Sequence, residues 1–277
     1  MRIKISWIRQ LKRERKQRVF VQAFRMFRFH MTPFNTLLRN IFDVMEQYEA
    51  RFTFPVVASV ALKNPELIQG IIKSGHEVAV HGFEHIKYGY LSEQQQEGDI
   101  KKAVNAFEEL GIPLNGFRAP YNFYTEHTPR LIEKYGFLWD AGIGYNAKYR
   151  ERTSFFRVTV NNHTSSFTCI PLNIWSDDRM IDLYGFKVPQ IGETLKSVIQ
   201  RAREKHGVVM LDLHPIRIGQ CQYIDGLKQA LTYGTKLNGW FPTVTEAVEE
   251  WRRNKKWKYN AEFCCLFTGD IDNFTFF

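Results

Sequence analysis

No run of about 18 apolar residues occurs in the 277-residue chain, so no membrane-spanning helix is expected. Cysteine is sparse: Cys169, Cys221, Cys264 and Cys265 form no CxxC pair. Without that spacing they read as small core hydrophobes in a reducing compartment. The opening residues are charged throughout and lack the apolar segment of a secretory signal, so export is not expected and a cytoplasmic location is. Internal repeats and low-complexity linkers are also lacking. That leaves one large domain, residues 31–277, behind an arm of residues 1–30.

What is present is unevenly distributed. Residues 1–28 hold ten Lys/Arg against Glu14 alone, and the rest of the chain carries 28 basic and 28 acidic residues. The net charge of +9 therefore belongs to the arm. Ile3, Trp7, Leu11, Phe20, Phe24 and Phe27 are interleaved with that charge. Such a segment can lie on an anionic membrane surface, at the inner face for a cytoplasmic protein, or pack on its own domain by its aromatic side. No DNA- or RNA-binding signature accompanies it, so a nucleic-acid partner is not expected.

After the arm, strand and helix patterns alternate about every 30 residues. Apolar residues recur with helical period from Phe34 to Tyr48, and Phe52 to Val60 reads as a buried strand. Pro65 opens a helix over 65–74, which Gly75 ends. A strand at 77–80 follows, then a helix from Ser92 to about 110, a strand at 116–119, a helix at 128–135 and a strand at 137–142. Residues 155–170 read as a hairpin around Asn161-Asn162. A helix at 190–206, a strand at 208–213, helices at 223–236 and 243–257, and a last strand at 262–268 complete the chain. This alternation indicates βαβ units in a parallel sheet or barrel.

Four of these strands run into polar groups: Val80 into His81 and His85, Phe117 into Arg118, Leu213 into His214, and Phe267 into Asp270 and Asp272. In α/β barrels the C-terminal strand ends line the active site. Two His at i,i+4 can face one cation if the chain coils after Gly82. With one Asp they leave open positions on a divalent metal. A second carboxylate could then take a proton from water and a separate His could give one to a leaving group, which is a minimal kit for hydrolysis of an amide or ester.

These residues resemble the polysaccharide deacetylase family (NodB-like, carbohydrate esterase 4). His81-Gly82-Phe83-Glu84-His85 is similar to its HxxxH motif and Arg118-Ala119-Pro120-Tyr121 to its RxPY motif. Leu211-Asp212-Leu213-His214-Pro215 is similar to its late strand–His motif, and Asp270-Ile271-Asp272 to its aspartate motif. The resemblance implies a distorted (β/α) barrel and a metal-dependent hydrolase that removes an N-acyl group, acetyl above all, from an amino sugar of a glycan or glycan precursor. It further implies that Asp272, His81 and His85 ligate a divalent ion, zinc in the first place, and that Asp270 is the general base, held ionised by Arg118. Tyr121 would stabilise an oxyanion through its backbone N–H, and His214 would protonate the departing amine. Trp175 resembles the family's aromatic wall, with Asp177 or Asp178 tuning His214.

Two departures stand out. The aspartate motif normally comes first in the family and here comes last. A circular permutation, with strand 262–268 beside strand 52–60, accounts for this; a domain-swapped homo-oligomer would account for it as well. Asp212 also stands where the family has an apolar residue that seats the acetyl methyl, so a carboxylate would face the site and pair with His214 or with substrate. Two other readings of the whole remain. One is an inverzincin-like peptidase using His81, Glu84 and His85, which needs a continuous helix. The other is an inactive barrel that binds carbohydrate or a membrane surface.

Overall fold

The computed structural model describes residues 31–146, 148–149 and 152–272; the basic arm lies outside the described residues. In chain order these form α1 (Phe34–Gln47), β1 (Phe52–Val56), α2 (Ala58–Lys63), α3 (Pro65–Lys73), β2 (Glu77–Val80), α4 (Glu93–Glu109) and β3 (Gly116–Phe117). Next come α5 (Thr128–Lys134), β4 (Trp139–Asp140), β5 (Thr159–Val160), β6 (His163–Thr164), β7 (Thr168–Cys169), α6 (Val188–Glu204) and β8 (Val208–Asp212). The chain ends with α7 (Pro215–Ile218), α8 (Ile224–Lys236), β9 (Gly239–Trp240), α9 (Val244–Asn254) and β10 (Phe263–Thr268).

Local chemistry accounts for most of these boundaries. Ser92 caps α4 in a reciprocal pair: its hydroxyl accepts from the Gln95 N–H, and the Gln95 side chain accepts from the Ser92 N–H. Pro65 sits in the first turn of α3, and Gly75 follows the helix at φ +78°, a conformation that costs a side chain energy. Leu37, Leu38, Ile41, Val44 and Met45 make one buried stripe on α1. The hairpin around Asn161-Asn162 forms as β5 and β6, both asparagines at positive φ.

The large sheet is entirely parallel, in the order β7-β4-β3-β2-β1-β10-β8, with β9 beside the start of β10. Among the described residues, the last strand thus lies between the first and the eighth. β1, β8 and β10 are buried along their whole length, as strands covered on both faces must be. Alternation sorts their side chains. Phe263, Cys265 and Phe267 pack with Val209, Leu211, Phe52 and Phe54 in the main core. Cys264 and Leu266 pack on the opposite face with Val208, Met210, Trp139 and Ile170. Thr268 and Asp212 continue that second face and are register partners.

Some elements differ from the sequence pattern. The run 52–60 leaves the sheet at Val56, because the Ala58 and Ser59 N–H groups donate to the Gly82 and Phe83 carbonyls and start α2. Strands 116–119 and 137–142 shrink to two residues each, since Ala119 turns away to bond Tyr124 and the Asp140 carboxylate accepts the Gly142 and Ile143 N–H groups. The helix expected to reach 257 stops at Asn254, with Lys255 left-handed.

His76 belongs to this scaffold. Its Nδ1 accepts the Phe52 N–H at 3.2 Å, and the ring packs 4.3 Å from Phe42. Burial, assisted by Arg51, lowers its pKa to about 4. The unfolded chain therefore binds this proton more readily, and stability falls as pH drops from about 6.5 toward 4. The site contributes up to about 3 kcal/mol to that loss. His76→Gln, which keeps an acceptor for Phe52, is expected to flatten the acid limb of stability measured by urea unfolding between pH 7.5 and 4.5; an unchanged slope would assign the effect elsewhere.

Candidate active site

The C-terminal ends of β1, β2, β3, β8 and β10 converge on one cluster. His81 follows β2, and its N–H continues the ladder to the Val56 carbonyl. Its ring is fully buried, and Nδ1 lies 2.8 Å from the Arg118 carbonyl, an acceptor only. Nδ1 must therefore carry the hydrogen, which leaves the Nε2 lone pair free. That Nε2 sits 3.4 Å from Asp272 Oδ1 and 3.4 Å from Asp270 Oδ2, while His85 Nε2 is 3.5 Å from the same Asp272 oxygen. Burial lowers the His85 pKa, His81 adds to that, and Asp272 opposes it. The neutral ring is the ligating form.

These groups fit a divalent cation. One atom from each of His81, His85 and Asp272 lies within 4.8 Å of the others. His81 Nε2 and Asp272 Oδ1 are buried and have no hydrogen-bond partner among the described residues. Buried polar atoms are rarely left so without an ion or water to receive them. The two histidines do not share a helix, since residues 81–87 form none. Gly82, at φ +74°, turns the chain instead. The helix that an HxxEH peptidase requires is therefore missing, and Glu84 is exposed.

Arg118 is the buried hub beside this cluster. Its Nη1 donates to Asp270 Oδ1 at 2.6 Å and to Asp212 Oδ1 at 3.2 Å; Nη2 reaches the Thr268 hydroxyl at 3.2 Å and Met210 Sδ at 3.4 Å. Met210, Asp212 and Thr268 come from the second face of β8 and β10, so strand register alone sets the guanidinium's surroundings. Burial would raise the Asp270 pKa, but Arg118, His81 and His214 outweigh it and hold the carboxyl down to about 2. Asp212, with the longer Arg118 contact, keeps the effect of burial and rises to about 6. Its hydrogen bond goes to Arg118 and not to His214, on which it acts by charge alone. The neighbouring Asp270 is what gave Arg118 a second carboxylate to bridge.

Across the site, His214 Nδ1 bonds Asp177 Oδ1 at 2.7 Å, and Asp177 is fully buried. Burial disfavours the imidazolium, yet Asp212 and Asp177 together raise the His214 pKa to about 10. Asp178 shares this corner but makes no hydrogen bond to the ring. Trp175 lies on the same loop, 5.7 Å from Tyr184 and 6.0 Å from Phe186. Tyr121, at φ +60° and largely exposed, stacks on His85 at 4.4 Å. His81, His85, Arg118, Tyr121, Asp212, His214, Asp270 and Asp272 lie at or just beyond these strand ends, Asp178 lies beside His214, and Trp175 packs on Tyr184 and Phe186. Sequence reading missed Asp99, Tyr124 and Asp140. Tyr124 accepts the Ala119 N–H at 3.1 Å and donates to Asp140, tying down the loop that carries Tyr121. An Asp buried in a short strand was the only available signal.

A parallel, helix-covered sheet thus brings two histidines and an aspartate together at its C-terminal edge, in a group that could hold a metal ion. The sequence model of the polysaccharide deacetylase family matches residues 25–138 of this chain. A peptidoglycan-N-acetylglucosamine deacetylase of Bacillus cereus is 26% identical over 110 residues, 39% of this chain and 52% of that protein. Chitin deacetylase 1 of Cryptococcus neoformans var. grubii is 30% identical over 106 residues, 38% of this chain and 22% of that protein. The chain thus spans about half or less of these curated relatives. Among solved structures, a probable polysaccharide deacetylase from Pseudomonas aeruginosa PAO1 aligns with a TM-score of 0.67 at 21% identity, covering 84% of this chain and 77% of that one. An allantoinase aligns at 0.68 and 21%, covering 84% and 76%. Both show the shared fold.

The Asp177 contact carries a testable consequence. In metal-free protein the His214 ring should remain protonated well above pH 8 by imidazole NMR, and Asp177→Asn should lower its midpoint by at least about one pH unit, or about 1.4 kcal/mol. A midpoint unmoved by that change would show that Asp177 does not sustain the charge.

Proposed function

We propose that the protein is a metal-dependent deacylase of N-acylated amino sugars, removing acetyl from a glycan or glycan precursor. The observation that carries the reading is the meeting, within one chain, of Asp270 and Asp272 with His81 and His85, opposite a charged His214. His81, His85 and Asp272 would hold the ion, for which zinc suits the imidazole and carboxylate donors. When bound, such an ion polarises the acyl carbonyl and acidifies water. Asp270 Oδ1 is committed to Arg118, so Oδ2 is the atom that takes the proton from the attacking water. The Tyr121 N–H would receive the developing oxyanion. His214 gives its proton from Nε2 to the leaving amine while Asp177 holds Nδ1, and Trp175 would wall the sugar.

The chain order fits a circular permutation of the family pattern, because β10 fills the slot beside β1. The +9 arm supports a cytoplasmic substrate presented at an anionic membrane surface, such as a lipid-linked precursor. If so, deleting residues 1–28 should abolish binding to anionic vesicles, and unchanged binding would remove that part of the proposal.

The central test is acetate release from N-acetylglucosamine oligomers and peptidoglycan fragments by the metal-loaded chain. Asp270→Asn should lower kcat about 10²–10⁴-fold while retaining metal. Asp272→Asn should lose metal, and Glu84→Gln should keep turnover. No release from any of these substrates, with metal bound, would overturn the assignment.

A further inference from the structure

We propose that Asp99 is the positioning residue that sets the spacing of the two metal-ligating histidines. The inference rests on reading His81, His85 and Asp272 as a metal site. Asp99 lies on α4, away from the strand ends, and does not itself reach the cluster of ligand atoms. Its carboxylate receives three donors from the segment between and just after the histidines. Oδ2 accepts the Phe83 N–H at 3.0 Å and the Tyr88 hydroxyl at 2.9 Å; Oδ1 accepts the Glu84 N–H at 3.1 Å.

Residues 82–87 have no helix or ladder of their own to satisfy their backbone. Their carbonyls are taken from the other side: Gly82 O by the Ala58 N–H at 2.9 Å and Phe83 O by the Ser59 N–H at 3.1 Å. The turn is therefore gripped from both sides, by the start of α2 through its carbonyls and by Asp99 through its N–H groups. Gly82 fits the same account. A Cβ there would come within 2.9 Å of Asp99 Oδ2, so the carboxylate occupies the space a side chain would need, and φ is +74° besides. α4 is a rigid support for such a clamp, since Ile100, Ala103, Val104 and Phe107 bury its inner face.

The consequence is preorganisation. His81 is fixed by its own ladder bond and the Arg118 carbonyl, whereas His85 is carried by the turn, with its ring against Tyr121 and Asp272. Without Asp99 the Phe83 and Glu84 amides would turn to water, and the ordering of His85 would have to be supplied by the ion as it binds. Residues that orient ligands in this way typically alter metal affinity 10–100-fold when removed.

The test uses the full chain and Zn2+ as the probe. Asp99→Ala is expected to weaken zinc binding by titration calorimetry about 10–100-fold. In the metal-free variant, hydrogen exchange at the Phe83 and Glu84 amides should accelerate while protection in β2 and β10 stays as in wild type. Asp99→Asn, which keeps one acceptor oxygen, should fall between the two and serves if the alanine variant does not fold. Wild-type zinc affinity in a folded Asp99 variant overturns the inference, as does unchanged exchange at residues 83 and 84. An affinity loss matched by general loss of protection would mark Asp99 as a mere fold staple and overturn it too. A wild-type chain that takes up no zinc overturns the metal-site reading itself, an outcome distinct from the others.

Discussion

The parallel ladder of β10 with β1 on one side and β8 on the other is the constraint from which the site follows. Five register pairs join β10 to β8, and two join it to β1 at its far end. Because those pairs fix Thr268 opposite Asp212, the two residues beyond the strand have little choice of position. Ile271 is drawn back to β1, its N–H donating to the Pro55 carbonyl at 2.8 Å and its carbonyl accepting from Val57. Its apolar side chain is buried, and the aspartates on either side are thereby turned toward His81. A one-residue slip would exchange the faces and bury two carboxylates in the phenylalanine-rich core.

Charge in this corner is arranged as a set, not as pairs. Arg118 has no exposed surface, so its desolvation must be offset by anions at short range. It has two, and divides itself unequally between them. The shorter bond goes to Asp270, which stays ionised; the longer goes to Asp212, which burial pushes toward neutrality. His214 then lies between Asp212 and Asp177 and is charged by both. An apolar residue at 212 would leave Arg118 wholly to Asp270 and remove one of the two anions that sustain the imidazolium. The carboxylate thus links the base side of the site to the acid side through a single strand position.

Much of this was legible from residue order, and the reasons differ by element. The helices from Phe34 and from Ser92 announce themselves by apolar period and by caps, which are local properties. The meeting of His81, Arg118, His214 and the aspartates followed from a general rule about strand ends plus motif resemblance. What escaped depended on geometry between segments. Asp99 looks like one more charge on a polar helix until the N–H groups of residues 83 and 84 are seen to face it. Asp212 invited pairing with His214 by alternation, but Arg118, just beyond β3, takes its hydrogen bond while His214 bonds Asp177. The early end of β1 was hidden because Val57 to Val60 is β-branched in part and reads as strand, while the bonds that start α2 come from the turn after β2.

The place of β10 in the sequence joins two events, closure of the sheet and assembly of the His–Asp cluster. A strand flanked on both sides by parallel partners is central to the sheet, and here it is also the last strand among the described residues. Until it arrives, β1 and β8 have no common neighbour, and the faces that pack Phe263, Cys265 and Phe267 are open to water. Such non-local pairing carries a high loop-closure cost and forms late. Asp270 and Asp272 follow two and four residues after that strand ends. Completion of the hydrophobic core and completion of the His–Asp cluster are therefore one step, driven by apolar burial that exceeds anything two aspartates could contribute alone. The chain recruits its acid groups as a by-product of closing its sheet, and this is why carboxylates so near the end of the sequence can be held at buried positions beside His81.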